Sequence, residues 1–411
     1  MGRRLGGLGA GHECLATISY QKVTRILQIH TRYREPGGED VVADAERRLL
    51  EASGHEVVTV RCNSSDSSWR AAVQLASYAW NPISAATIMK VAKETQPDIA
   101  HFHNTWFAVS PTVLRSLKRA GIPTVVTIHN YRLMCANAQL MRNGAPCELC
   151  VGVVPWRAVQ YRCYRDSSAA SMAAGLGVQV HRSLGTWKRG VDQFLAPTEF
   201  LRERLIAAGL PEERIVVHPN FVADPGPRAE PPSASRRVVY VGRLSDEKGL
   251  AVALEAWRRA SLRGLEFAIV GDGPQREDLV RNADDSVSFL GRLSQHEVHE
   301  LLLTSRAMVS PSLWYEVHPL AVLEAFAAGV PVLGSAIGGL GEAIAPLGSQ
   351  WGVVPGSIDA WTSALTCLVD DAIVEAGSTT ARHLFETRYS TSIARRNLGV
   401  VYNRVLMDPP S

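Results

Sequence analysis

The chain has 411 residues, 46% hydrophobic and 20% charged, with a formal net charge of +3 at pH 7. That length is long for one ordinary domain and comfortable for two, each with its own core. The small charge excess lacks the clustering expected of a nucleic-acid-binding protein, and no uncharged apolar run nears the roughly 20 residues that span a bilayer.

Residues 1–22 include basic side chains but no continuous apolar stretch, so they do not read as a secretory signal. They read as a disordered or mis-assigned leader, and the expected location is the cytoplasm, extending to the inner face of the cell membrane. The run Gly7-Leu8-Gly9-Ala10-Gly11 precedes the first strand instead of following it, the wrong context for a dinucleotide fingerprint. From there short β-rich runs alternate with helical stretches, the pattern of parallel α/β sheets. Strands are predicted at 25–30, 55–60, 98–103, 123–129 and 193–198, with amphipathic stretches at 40–53 and 110–120, and the segment 215–220 closes this half. Residues 223–235 are rich in Pro, Gly and Ala without periodicity and read as a linker. A second series of strands is predicted at 237–242, 266–271, 287–291, 307–312, 331–335 and 351–355, and the rest reads as helices. The expected organisation is therefore an N-terminal domain over 23–222, the linker, a C-terminal domain over 236–390 and a helical tail over 391–411. Two such units imply a cleft, and in open α/β sheets ligands bind at the carboxyl ends of strands.

The densest constellation at such a strand end runs from Trp314 to Val332. Pro319 suits a helix start and Gly329 its end, predicting a helix over about 319–328. Glu316 lies just before that helix and Glu324 inside it, about 12 Å apart along a helical rise, so they suit opposite ends of one extended ligand. The first-turn amides around His318, Pro319, Leu320 and Ala321 form an anion site suited to a diphosphate. A second constellation, Gly242-Arg243-Leu244-Ser245-Asp246-Glu247-Lys248-Gly249, follows a clean strand. Gly242 allows close backbone approach, and Arg243 and Lys248 offer cations to a departing diphosphate. Gly271-Asp272-Gly273-Pro274 and Phe289-Leu290-Gly291-Arg292-Leu293 also end strands. Taken singly, Glu324 reads as a solvated helix residue and Arg243 with Glu247 as a surface pair.

In the first half, Gly37-Gly38 would let a ligand approach backbone, or form an ordinary turn. His103 and His129 each end a predicted strand and both are candidates for the cleft. Cys135, Cys147, Cys150 and Cys163 fall in one short window, and a CxxC flanked by two more cysteines fits structural zinc, free thiols, a redox pair or an iron–sulfur site. Between 157 and 189, basic residues interleave with aromatic and aliphatic ones, which reads as a solvated helix face or as a surface for anionic lipid. No Asp-x-Asp triplet is present to indicate a metal bridging a diphosphate.

Together the 242–249 stretch, the Gly-Asp-Gly-Pro turn, the Phe-Leu-Gly-Arg-Leu turn and the Glu316-x7-Glu324 pattern resemble the group 1 (family 4) glycosyltransferases, which have the GT-B fold. Arg34-Glu35-Pro36-Gly37-Gly38-Glu39-Asp40, Gly54-His55-Glu56-Val57, Ala196-Pro197-Thr198-Glu199-Phe200 and His218-Pro219-Asn220 agree, and the resemblance covers about residues 25–390. It implies two Rossmann-like α/β domains facing a cleft, with C-terminal helices packing back on the N-terminal domain. It further implies sugar transfer with retention from a UDP- or GDP-sugar to a glycan or lipid-linked acceptor, without a catalytic metal. By resemblance Glu324 would bind the ribose, Glu316 and His129 would lie near the donor sugar, and Arg243 and Lys248 would grip the diphosphate. Relatives usually carry Gly-Phe where this chain has Val317-His318, which leaves the sugar open. A nucleotide-sugar epimerase, a phosphorylase of related architecture and a non-catalytic nucleotide-sugar-binding protein are the competing readings.

Overall fold

The computed structural model describes residues 23–32, 37–63, 80–105 and 109–407; the leader, the glycine run in it and Arg34-Glu35-Pro36 lie outside the described residues. Fourteen strands are described: β1 Arg25–Arg32, β2 Glu56–Asn63, β3 Ile99–Asn104, β4 Thr124–Thr127, β5 Met141–Arg142, β6 Ala145–Pro146, β7 Gln193–Ala196, β8 Ile215–Val217, β9 Arg237–Val241, β10 Glu266–Val270, β11 Val287–Gly291, β12 Ala307–Ser310, β13 Val332–Ser335 and β14 Gly352–Val353.

Two six-stranded sheets result, in the orders β2-β1-β3-β4-β7-β8 and β11-β10-β9-β12-β13-β14. Every pairing within both is parallel. A parallel sheet must be covered on both faces, and the sequence shows why this one is: β3, β4 and β7 are buried along their whole length. Each sheet changes winding direction once, between β1 and β3 in the first and between β9 and β12 in the second. Those are the points where an open α/β sheet leaves a crevice.

The C-terminal helix Thr391–Met407 returns to the first sheet. Its Leu398, Val401, Tyr402 and Val405 pack with Ile26, Leu50, Ile99, Val125 and Leu195. Just before it, Val222 pairs with Ser390, and Val222 N–H donates to Tyr389 C=O at 3.1 Å, so the chain's two crossings between the halves run side by side.

Several predicted ends shift. The strand placed at 351–355 is only Gly352–Val353, because the stretch before it closes a 3₁₀ turn at Ser349–Trp351. The helix placed over 319–328 is Leu320–Ala327, with Pro319 outside it in extended conformation. The small antiparallel hairpin β5-β6 has no counterpart in the predicted elements.

Candidate active site

A cavity of about 490 Å³ opens between the two sheets. Its second-half wall comes from the ends of β9 (Tyr240, Val241, Gly242) and β12 (Met308, Ser310), the two strands at that sheet's winding reversal. The opposite wall includes Gly37, Gly38, Glu39, His129 and Asn130.

Two helix starts meet here. Gly38–Ala52 begins at Gly37, whose N–H donates to the Asp40 carboxylate at 2.8 Å, and Leu320–Ala327 begins at Pro319. A Cβ added to Gly38 would lie 3.8 Å from Leu320, so the two starts face each other closely. Unpaired first-turn amides and aligned peptide dipoles give this part of the cavity a positive potential suited to an anion.

Lys248 and Glu316 form the charged floor. Lys248 Nζ donates to Glu316 Oε1 at 2.6 Å, and Ser312 Oγ donates to the same oxygen at 2.8 Å. Burial pushes the Glu316 carboxyl up, but the adjacent ammonium and hydroxyl more than offset this and hold it below its ordinary value. Lys248 also stands 5.7 Å from the Trp314 ring centroid. Gly249, which turns the chain here with φ +68°, admits no side chain: a Cβ would fall 2.1 Å from Pro311 O.

His318 lines the cavity but is committed elsewhere. Its Nδ1 accepts from Asn220 N–H at 3.1 Å, its carbonyl accepts from Asn220 Nδ2 at 3.1 Å, and burial lowers the ring to about 3. It is therefore a neutral imidazole tying the cavity to the inter-domain crossing.

Other nominated residues sit apart. The Arg243 guanidinium is 57% exposed, bonds Glu247 at 3.2 Å, and does not line the cavity. Asp272 and Arg292, which follow β10 and β11, stand 3.8 Å apart, and neither lines the cavity. Gly271 serves the fold: at φ +134° an added Cβ would lie 1.8 Å from Gly242 O. Glu324 lies near Gln295 (3.4 Å) and His299 (3.8 Å) in a second cavity of about 360 Å³. The two cavities share Val42 and Leu320, so they adjoin. His103 does not line this cavity; it is buried, stacks on His129, and shares with it a small adjoining pocket of about 40 Å³.

Sequence reasoning missed Glu39 as a site residue. Its carboxylate accepts from Asn104 Nδ2 at 2.7 Å and Asn130 Nδ2 at 3.2 Å, and burial together with Asp40 raises it to about 7. Only its place beside Gly37-Gly38 hinted at this.

Cys135 sits within the loop that carries Asn130, Arg132, Asn137, Ala138 and Gln139 into the cavity, with Cys147 and Cys163 near enough to Cys150 to act on its thiol together with Cys135. Cys150 and Cys163 pack with Ala136, Ala158 and Ala174. Among the described residues no three of these sulfurs lie within 4.8 Å of one another. Beside them, Arg142 Nε and Arg182 Nη2 are buried without a hydrogen-bond partner.

Comparison with known proteins agrees with this layout. Residues 227–381 match the family described as "Glycosyl transferases group 1" and residues 36–224 "Glycosyltransferase Family 4". The 2-deoxystreptamine N-acetyl-D-glucosaminyltransferase of Streptomyces fradiae is 30% identical over 301 residues, 67% of this chain and 68% of that protein. The glycogen synthase of Mycobacterium tuberculosis is 36% identical over 150 residues, 34% of this chain, and the match spans only 36% of that relative's length. The crystal structure of Anabaena HepE in complex with UDP and glucose superposes with a TM-score of 0.65 at 15% identity, covering 92% of this chain and 99% of that one. The fold is thus GT-B, as the resemblance implied.

Proposed function

The chain belongs to the group 1 glycosyltransferases, and from that premise we propose that it transfers a hexosyl group, with retention, from a nucleotide-diphosphate sugar to a glycan or lipid-linked acceptor. The observation that carries the proposal is the Lys248–Glu316 pair at 2.6 Å on the floor of a cavity into which two helix starts point. This combination suits a diphosphate. The helix starts and Lys248 would neutralise its charge as the sugar leaves, the task a bridging metal performs elsewhere. Glu316, kept ionised by Lys248, would accept from donor-sugar hydroxyls. Glu324, in the adjoining cavity, would hold the ribose at the far end of an extended donor. HepE was solved with UDP and with UDP-glucose, which supports a nucleotide-sugar donor of that kind here.

Glu39 and His129 stand across the cavity, on the side where an acceptor would enter. Leu149, Val153, Val154, Trp156, Met172 and Leu176 expose large apolar side chains on one segment that also carries Arg157, Arg162 and Arg165. That mixture suits the anionic surface on which a lipid-linked acceptor would lie. No helix among the described residues is long and apolar enough to cross a membrane.

The test is turnover with a panel of UDP- and GDP-hexoses and simple glycan and glycolipid acceptors in buffer without added divalent metal, with the new linkage read by NMR. A product with the donor's anomeric configuration is expected. An inverted product, or turnover only with added divalent metal, would contradict the mechanism.

A further inference from the structure

Behind His129, away from the cavity, lies a line of buried polar side chains that the proposed transfer does not use directly. Glu46, from the helix Gly38–Ala52, is fully enclosed. Its Oε1 lies 2.8 Å from His101 Nδ1 and 3.2 Å from His103 Nε2. His103 Nδ1 in turn lies 3.1 Å from His129 Nε2. The rings stack in sequence, His101 on His103 with centroids 4.6 Å apart and His103 on His129 at 5.4 Å. Tyr402 of the C-terminal helix closes the far end, its hydroxyl 2.7 Å from His101 Nδ1. A charged carboxylate is costly to bury, and this one is held by two imidazoles of β3.

Proton bookkeeping along this line favours one solution. A carboxylate only accepts, so His103 must carry its proton on Nε2 to bond Glu46. Gln28 Nε2 gives one N–H to Ala43 C=O at 2.9 Å and lies 3.2 Å from the same His103 nitrogen; turning its second N–H there would leave the buried Glu46 carboxylate facing a lone pair, so the charge-assisted bond to Glu46 decides the tautomer. With its proton on Nε2, a neutral His103 presents a bare Nδ1. His129 Nε2 must then be the donor, which leaves His129 Nδ1 bare. We propose that Glu46 and His103 are positioning residues that lock His129 as the neutral Nε2–H tautomer, so that it meets the transferring sugar as a hydrogen-bond acceptor. This rests on the reading of the cleft as a glycosyl-transfer site.

The chemistry explains why such a lock would be built. Positive charge grows at the anomeric carbon as the bond to the leaving phosphate breaks. A cationic imidazolium beside it would oppose that growth, whereas a neutral ring with a lone pair holds a sugar hydroxyl without repelling it. Burial works in the same direction, lowering His129 well below the ordinary histidine value, with His103 and His30 adding to the effect. Other titratable groups around the line are Asp40, paired to His30 at 2.9 Å, His218, Glu39 and Tyr402. The tautomer itself is set by hydrogen-bond geometry, as when a buried carboxylate orients a catalytic histidine.

The test is ¹H–¹⁵N spectroscopy of the full chain labelled with ¹⁵N-histidine, with His129 assigned by its loss in H129Q. The wild-type protein should show His129 protonated at Nε2 and bare at Nδ1 throughout pH 5.5–8. A doubly protonated His129, or one protonated at Nδ1, overturns the proposal whether or not a transfer activity has been found. In E46L the carboxylate is gone and Gln28 can turn its second N–H to His103 Nε2, which reverses both rings and puts the His129 proton on Nδ1. We expect kcat to fall about tenfold to a hundredfold, the cost of a reversed buried hydrogen bond, with nucleotide affinity within about twofold. An E46L protein that folds with the wild-type His129 tautomer contradicts the relay. If E46L does not fold, the wild-type spectrum still decides.

Discussion

Lys248 is the side chain on which most of the proposed chemistry rests. It is three-quarters buried, and its removal does two separable things. It deprives a departing diphosphate of its nearest cation, and it leaves Glu316 charged and enclosed without its partner. K248A should therefore lower turnover by about a hundredfold or more and destabilise the fold by about 3 kcal/mol. Steady-state kinetics and urea unfolding read the two effects. Wild-type turnover in a folded K248A protein would remove Lys248 from the mechanism. At this scale the sequence was legible where residue type and position agree. A lysine just past a strand end and a glutamate just before a helix point to one another once the strands are drawn parallel. Arg243 shows the opposite case: its spacing matched, but a guanidinium two residues from Ser245 and four from Glu247 finds partners on its own turn. Glu46 was illegible because nothing local marks it. It occupies a core-facing helix position where an apolar side chain is the ordinary expectation, and its partners lie 55 and 57 residues away.

At the scale of elements, the alternation of strands and helices was readable throughout, because parallel strands buried on both faces leave continuous apolar runs. Residues 130–167 were not. That stretch has little regular structure, and Ala138, Leu140, Asn143, Arg162, Arg165 and Asp166 all adopt positive φ without being glycine. Such backbone is held by surroundings and not by local preference. The four cysteines are its concentrated chemistry. Burial raises Cys150 to about 11, with Cys135, Cys163 and Cys147 adding to it, so as a free thiol Cys150 stays protonated. We infer that a structural zinc draws them together as thiolates, with Arg142 and Arg182 balancing the added charge, and so fixes the loop that lines the cavity. Elemental analysis should find about one zinc per chain, and chelation should expose 130–167 to protease first. Metal-free protein with an equally protected loop would contradict this. Elsewhere, elements clasp across the cleft: Glu342 accepts from Glu199 N–H at 2.9 Å and Phe200 N–H at 2.7 Å, and Phe200 packs on Tyr315 at 4.7 Å.

For the molecule as a whole, the buried imidazoles make a collective prediction. Burial lowers His30, His103, His129, His218 (to about 4) and His318 (to about 3). An unfolded chain takes up protons on these rings below about pH 6.5 while the folded chain refuses them. Their contribution to stability is thus fully present above that pH and is lost as pH falls toward the folded values, by at most about 1.4 kcal/mol per ring per pH unit. Glu39, raised to about 7, acts in the opposite sense between its unfolded value and 7, but it is one group against five. Tm should therefore fall steadily from pH 6.5 to 4.5, as followed by circular dichroism. A flat profile would mean that these rings are not buried neutral.

At the scale of the whole molecule, the proposed nucleotide-diphosphate site joins two helix starts, Lys248 and the glycine-lined strand ends and takes its ligand without a bridging metal. The most direct measurement is thermal unfolding with UDP, GDP, ADP and their common sugar conjugates without added divalent metal, since a ligand that binds only the folded chain must raise Tm. A clear upward shift with one nucleotide family, reduced in K248A, is expected. No shift with any of them until magnesium or manganese is added would contradict a metal-free site.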